Sequence, residues 1–187
     1  RTLVEQAAEE HLARCVDGLY HYYDFRSRFQ EGVELLALAG LALTSAGLTQ
    51  AMMLSRKGAL CMRIADYDSA AEALSHSQMI LESMPQPSEM AFCLGLYSYL
   101  TEHLGNYESA MAAAKDSLKI YRDLDDLYGE SQALLQAGKV SYRMGQIEEA
   151  REFLEASLET GRQTGAPRQL VGPLNFLADV YCHLGAY

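Results

Sequence analysis

Four short phrases recur at a fixed interval of 40 residues: Ala65-Asp66-Tyr67-Asp68-Ser69-Ala70, Gly105-Asn106-Tyr107-Glu108-Ser109-Ala110, Gly145-Gln146-Ile147-Glu148-Glu149-Ala150 and Gly185-Ala186-Tyr187. A weaker copy, Ser27-Arg28-Phe29-Gln30-Glu31-Gly32, lies 38 residues before the first. A period of this length marks stacked supersecondary units, none of which can bury its apolar face alone. Few other folds remain open to such a chain.

With the first residue of each phrase as origin, further columns align. Eleven residues before it stand Val16, Leu54, Leu94, Leu134 and Leu174, all aliphatic. Seven before it stand Tyr20, Gly58, Ser98, Gly138 and Ala178, small in all but the first. Five after it stand Gly32, Ala70, Ala110 and Ala150, and nine after it Leu36, Leu74, Ala114 and Leu154. Two antiparallel helices joined by a short turn approach closely only where small side chains face each other. The small columns supply that approach, the larger ones fill the remaining space, and glycine at the turn ends the first helix in a left-handed conformation.

Composition agrees. Ala, Leu, Glu, Gln and Met far outnumber Val, Ile and Thr, with only four prolines and no tryptophan, and these side chains lose little rotamer freedom in a helix. The pattern predicts an all-α chain with helices over 2–25, 29–45, 48–64, 67–83, 87–104, 107–123, 127–144, 147–163 and 167–184. Pro85, Pro87, Gly165 and Pro167 punctuate it where breakers belong. It divides into one array of repeats over 1–46, 47–85, 86–125 and 126–165, with a half repeat over 166–187. Beginning at Arg1 and stopping at the fifth turn, the sequence reads as a piece of a longer protein, its last helix a makeshift cap.

A leucine, then a small residue, then Gly-x-Tyr-x-x-Ala, then a hydrophobic residue resembles the tetratricopeptide (TPR) repeat over essentially the whole chain. The period near 40 departs from the usual 34, and the terminal proline is mostly missing. Longer repeats of this kind resemble those of bacterial signal-transduction ATPases and transcription activators, including the maltose-regulon activator group. The aromatic-rich segment Leu19-Tyr20-His21-Tyr22-Tyr23-Asp24-Phe25-Arg26-Ser27-Arg28-Phe29-Gln30-Glu31-Gly32 is similar to the first helix pair of such arrays, which typically follows an ATPase module. The resemblance implies a right-handed α-solenoid that is cytoplasmic, binds a protein or peptide and is not an enzyme.

Charge narrows the partner. A net charge of −10 repels phosphate backbones and anionic lipid, so neither direct nucleic-acid binding nor membrane binding is expected. The uncharged run from Leu35 to Ser55 is long enough to span a bilayer, but Thr44-Ser45-Ala46-Gly47 interrupts it and the repeat register places a turn there. No signal peptide is visible. Cys15, Cys61, Cys93 and Cys182 lie far apart, without metal-ligand spacing, and read as small buried hydrophobes in a reducing compartment. No metal or cofactor is expected.

Catalytic motifs are missing. Gly138-Lys139 is followed by Val140 and has Ala133 where a phosphate-binding loop needs its first glycine. His103 and His183 stand at helix C-termini, in the column of Arg63 and Arg143, where a cation suits the helix dipole. Glu148, Glu149, Glu152, Glu155 and Glu159 read as a solvated outer face of one second helix, with an acidic docking patch as the alternative.

In TPR arrays the first helices line the concave side. Residues 13, 10, 6 and 3 before the turn keep one helical stripe there. That stripe supplies the candidate binding residues Met52, Met62, Phe92, Tyr99, Leu135, Lys139, Tyr142 and Asn175. Methionine and aromatics on a concave surface suit a docked helix or extended peptide. The same positions would also serve as packing between neighbouring first helices, and the sequence leaves both readings open. Of the Lys, Asn and Arg needed for the carboxylate clamp of chaperone-binding TPR domains, only Lys139 and Asn175 are suitable. The expected role is a protein-interaction module from a bacterial signalling ATPase or transcription regulator. The alternatives are a domain sensing a ligand or peptide, or a constitutive assembly scaffold. The open ends of the array offer a route to homo-oligomers.

Overall fold

The computed structural model describes residues 3–41, 43 and 47–185, and for 3–10 it is the helical backbone that is described. Among these residues there are nine α-helices and no strand: α1 (Leu3–Phe25), α2 (Phe29–Leu41), α3 (Leu48–Arg63), α4 (Tyr67–Glu82), α5 (Pro87–His103), α6 (Tyr107–Asp123), α7 (Leu127–Arg143), α8 (Ile147–Gln163) and α9 (Arg168–Leu184). The expected layout is reproduced closely, with α2 ending at Leu41 rather than 45. The expected turn at Thr44-Ser45-Ala46 and the terminal pair Ala186-Tyr187 lie outside the described residues. The uncharged run is divided between α2 and α3, and no described helix is long and apolar enough to cross a membrane.

The turn residues explain the phrase that recurs. Ser27, Ala65, Gly105, Gly145 and Gly185 all hold positive φ, between 54° and 79°. The left-handed turn is therefore kept even where no glycine stands, at a cost of about 1–2 kcal/mol for a residue with a Cβ. One residue later, Asp66 and Asn106 cap α4 and α6, their side-chain oxygens accepting from the backbone N–H of Ser69 and Ser109 at 3.1 and 3.2 Å. Asp126 caps α7 in the same way through Gly129, at 3.0 Å. Each cap satisfies a donor that the first helical turn leaves without a partner.

The chain forms two compact units, 1–96 and 97–187, the boundary falling within α5. In the first, Val16, Leu36, Met53 and Leu60 form a buried cluster, with Tyr20, Tyr23, Phe29 and Met52 packed against it. In the second, Ala150, Leu154, Leu177 and Val180 form one cluster, and Leu118, Ala133 and Leu134 another.

The second and fourth hairpins each close on a contact between a glycine of the first helix and the leucine nine past the turn. A Cβ built on Gly58 would lie 3.0 Å from Leu74, and one on Gly138 only 2.7 Å from Leu154. The third hairpin uses two small residues instead. Ser98 replaces glycine and Ala114 replaces leucine, both buried, and the Ser98 hydroxyl donates to the Ala110 carbonyl at 2.7 Å. This pair is smaller than the glycine–leucine pairs, and a hydroxyl-to-carbonyl hydrogen bond takes part in the contact.

A further column, twelve past the turn, holds Ser77, Ser117 and Ser157, all buried. Ser77 donates to the Ala51 carbonyl at 2.8 Å. Ser157 and Ser131 exchange hydroxyl-to-carbonyl bonds at 2.8 and 3.0 Å. These bonds fix the second helix against the first helix of its own repeat.

The last helix departs from the column pattern. Leu174 is 50% exposed and Ala178 is exposed too, although their counterparts Leu134 and Gly138 are buried. Among the described residues α9 has no following second helix to cover that face. Leu177 and Val180 instead pack against the α8 cluster.

Gly138→Ala should cost about 1–3 kcal/mol by overpacking, and Leu154→Ala, costly alone, should lose part of its penalty beside it. Urea titrations of both single mutants and the double mutant would show this coupling, and strict additivity would contradict the contact. Ala65→Gly should stabilise by about 0.5–1 kcal/mol after the added chain entropy is counted, whereas Gly145→Ala should destabilise by a similar amount.

Candidate functional site

The first helices carry two clusters, one in each unit, built around a buried cation. In the first unit Arg56 projects from α3, its side chain only 6% exposed. Its Nε donates to Asp17 of α1 at 2.8 Å, and its two terminal nitrogens reach the Glu89 carboxylate of α5, Nη2 at 3.1 Å. Nη1 also donates to the Ser55 hydroxyl at 3.0 Å, and the guanidinium lies 4.2 Å over the Phe92 ring. Burial lowers the guanidinium's proton affinity, but the Glu89 and Asp17 carboxylates more than offset this, and its pKa stands above the ordinary arginine value. Arginine's fixed fork suits such a site, since one side chain can engage two carboxylates and still stack.

In the second unit the roles are divided among more residues. Glu102 of α5, its side chain 3% exposed, lies 3.1 Å from Lys139 Nζ and 3.4 Å from Arg143 Nε, both on α7. Gln136 donates to the same carboxylate at 2.8 Å and accepts from Lys139 at 3.1 Å. The Lys139 ammonium sits 4.7 Å from the centre of the Tyr99 ring and 5.6 Å from that of Phe176, on α9. Burial alone would raise the Glu102 pKa, but Lys139 and the Gln136 hydrogen bond bring it below the usual carboxylate value. Burial outweighs Glu102 for Lys139, whose ammonium is held below the usual lysine value. The carboxylate is therefore the partner that gains from the pair, while the lysine bears the desolvation.

The predicted stripe residues divide between these clusters and the cores. Phe92 lies under Arg56, and Tyr99 and Lys139 meet across α5 and α7. Met62 is buried at 8% exposure, which is a correction to its expected place on an open surface. Met52 packs against the first-unit core, and Leu135 and Tyr142 against the cluster of Leu177 and Val180; all three keep part of their surface exposed. Asn175 is exposed on α9. Lys139, 12% exposed and engaged with Glu102, is not a free cation for a peptide carboxylate, so the carboxylate-clamp chemistry loses its main candidate.

His103 and His183 each place Nδ1 at 3.0–3.1 Å from the carbonyl four residues earlier, as expected for helix C-terminal residues. The Tyr142 hydroxyl also lies 3.2 Å from His183 Nδ1. The cysteine reading needs correction: Cys61 and Cys93 are buried, but Cys15 on α1 and Cys182 on α9 are exposed. Burial pushes the Cys93 thiol up to about 11, which removes it as a nucleophile near neutral pH. Among the described residues no group of three or more His, Cys, Asp or Glu is placed to hold a metal ion.

Sequence reasoning did not single out Arg56, Glu89 or Gln136. Arg56 and Gln136 stand in one column, nine before the turn, and a polar residue inside an otherwise apolar helix stripe was the available signal.

No protein-family model matches the sequence, and no curated protein matches it. Solved structures do match. BtubC (BKLC) from P. vanneervenii superposes with a TM-score of 0.74 at 16% identity, over 100% of this chain and 86% of that one. The nearly identical TPR-like repeats assigned to a Podosopora anserina kinesin light chain give 0.68 at 18% identity, over 94% of this chain and 89% of theirs. A singly substituted form of those repeats gives 0.69 at the same identity, over 94% of this chain and 88% of its own. The fold is that of a TPR-like α-solenoid. At these identities the likeness extends to architecture, and the residues around Arg56 and Lys139 must be understood from their own geometry.

Removing one partner of a buried pair leaves an uncompensated charge, so Glu102→Ala should destabilise by about 3 kcal/mol or more. Exchanging Glu102 and Lys139 together for Leu and Met should recover most of that loss. A depressed folded-state pKa means that Glu102 contributes stability above the ordinary carboxylate range and loses it as pH falls through the lowered value. Glu102→Gln should therefore flatten the acid limb of a stability–pH curve from thermal melts. A limb as steep as in the parent chain would show that the pair is not coupled to folding.

Proposed function

We propose that this chain is a protein-interaction module that holds a helix or extended peptide on its first-helix face, and that it serves as the regulatory array of a bacterial signalling ATPase or transcription regulator. The observation that carries the binding part is the state of Tyr99, Tyr142 and Leu135. They are half-buried and anchored from behind, with one side of each still open to solvent. Aromatic side chains whose rotamers are already fixed lose little entropy when a partner covers them. Asn175 and Gln132 stand exposed nearby on the same unit and offer amide donors and acceptors to a peptide backbone.

Electrostatics supports a partner that does not depend on a strong charge at this face. The two cations best placed to attract an acidic group, Arg56 and Lys139, already face Glu89, Asp17 and Glu102. A peptide docking there would be recognised by shape, apolar contact and neutral hydrogen bonds. Regulation rests on the likeness of the long repeats to those of signalling ATPases and transcription activators, with a cytoplasmic location implied by the same likeness.

A photocrosslinking residue placed at Asn175 should capture the partner in cells of the source organism, whereas one at Met79, exposed on the second helix α4, should not. Tyr142→Ala should then weaken the captured complex by about 2 kcal/mol while destabilising the chain by less than the roughly 3–5 kcal/mol of a fully buried aromatic. Equal capture from both positions, or wild-type affinity in Tyr142→Ala, would move the binding face elsewhere.

A further inference from the structure

The second helices of the second unit carry a feature that the first-helix reading leaves unused. A groove of about 360 Å³ opens between α6 and α8, lined by Lys115, Leu118, Lys119, Arg122, Asp123 and Phe153. Its floor is apolar: Leu118 is 5% exposed and Phe153 packs beside it. Its wall is a row of cations on α6, Lys115, Lys119 and Arg122, spaced by four and then three residues so that they share one helical face. In a chain of net charge −10, a row of three cations on one groove calls for an anionic occupant.

Part of that charge is already engaged. Lys115 lies 3.8 Å from Glu149 and 5.9 Å from the Phe153 ring, and Arg122 pairs with Glu130 at 2.8 Å. Lys119 is exposed and has no ion pair among the described residues. Asp116 and Asp123 are the acidic neighbours on its own helix.

The adjacent helix carries the complement. Glu148, Glu152, Glu155 and Glu159 on α8 repeat the four-then-three spacing and form an exposed ridge. Glu155 accepts from the Tyr181 hydroxyl at 2.7 Å and stands 3.7 Å from Arg151, and Glu159 lies 3.5 Å from Arg162. Glu148 and Glu152, the two at the start of the ridge, have no ion pair among the described residues.

We propose that the occupant of the groove is the α8 ridge of a second copy of this chain. Lys115 and Lys119 receive Glu148 and Glu152 of the partner subunit, both pairs being one helical turn apart. Groove and ridge lie on neighbouring helices of one unit, so the contact can be made twice about a twofold axis, each copy giving its ridge and receiving the other's. The Leu118–Phe153 floor would be covered in the same step. Such an interface draws on exposed charges, so it is weak and screened by salt.

Sedimentation velocity of the full chain at about 50 mM and about 500 mM salt tests this. The expected result is a monomer–dimer equilibrium that weakens about tenfold or more at the higher salt. Lys119→Glu alone and Glu152→Lys alone should each abolish the dimer, and the doubly substituted chain should regain it. Circular dichroism would confirm that the singly substituted chains fold. Should Lys119→Glu not fold, Lys119→Gln removes the charge with a smaller perturbation and should weaken the dimer in the same direction. A chain that stays monomeric at both salt concentrations overturns the proposal. So does a dimer indifferent to Lys119 and Glu152, or a charge exchange that fails to restore association.

Discussion

Close approach of the two helices within each hairpin is the constraint on which the rest of the structure depends. It is made by a matched pair of residues rather than by a fixed one. Gly58 against Leu74 and Gly138 against Leu154 place a void opposite a bulky side chain. Ser98 and Ala114 meet the same approach with two small groups, and the serine hydroxyl bonds the Ala110 carbonyl. The left-handed residue at each of these turns then reverses the chain within the short distance this spacing leaves.

The first helices face a different problem, since their stripe is neither fully buried nor fully exposed. Both units solve it with a cation laid over an aromatic ring and held by carboxylates from neighbouring helices. A cation in this position is favourable only because the ring face, the carboxylates and the amide of Gln136 together replace its water. On the binding face proposed above, this leaves aromatic edges and amides beside cations that are already paired.

Much of the architecture was legible in the sequence. The 40-residue recurrence placed the nine described helices to within a few residues, because turn, cap and small-residue columns each answer a local steric demand. The sequence showed less of the site. Column spacing put Phe92, Tyr99, Lys139 and Tyr142 on one stripe but could not separate Met62, which is buried, from Asn175, which is open; that depends on how neighbouring first helices lean. Nor did it reveal that Lys139 and Glu102 neutralise each other, since they come from different repeats and pair through space. Leu174 departs from its column because burial there needs a second helix over it, and among the described residues none follows α9.

The buried ion pairs have a consequence for how such an array can change over time. Arg56 belongs to the second repeat, yet its carboxylates come from the first and third. Lys139 of the fourth repeat depends on Glu102 of the third. Idealised repeat proteins are modular: units can be duplicated, deleted or shuffled because every junction is alike. Here the junctions are individually keyed, and exchanging two repeats would strand a cation in a nearly dry site. The order of the modules is thereby tied to the chemistry of these two junctions, in addition to the packing columns that every hairpin shares.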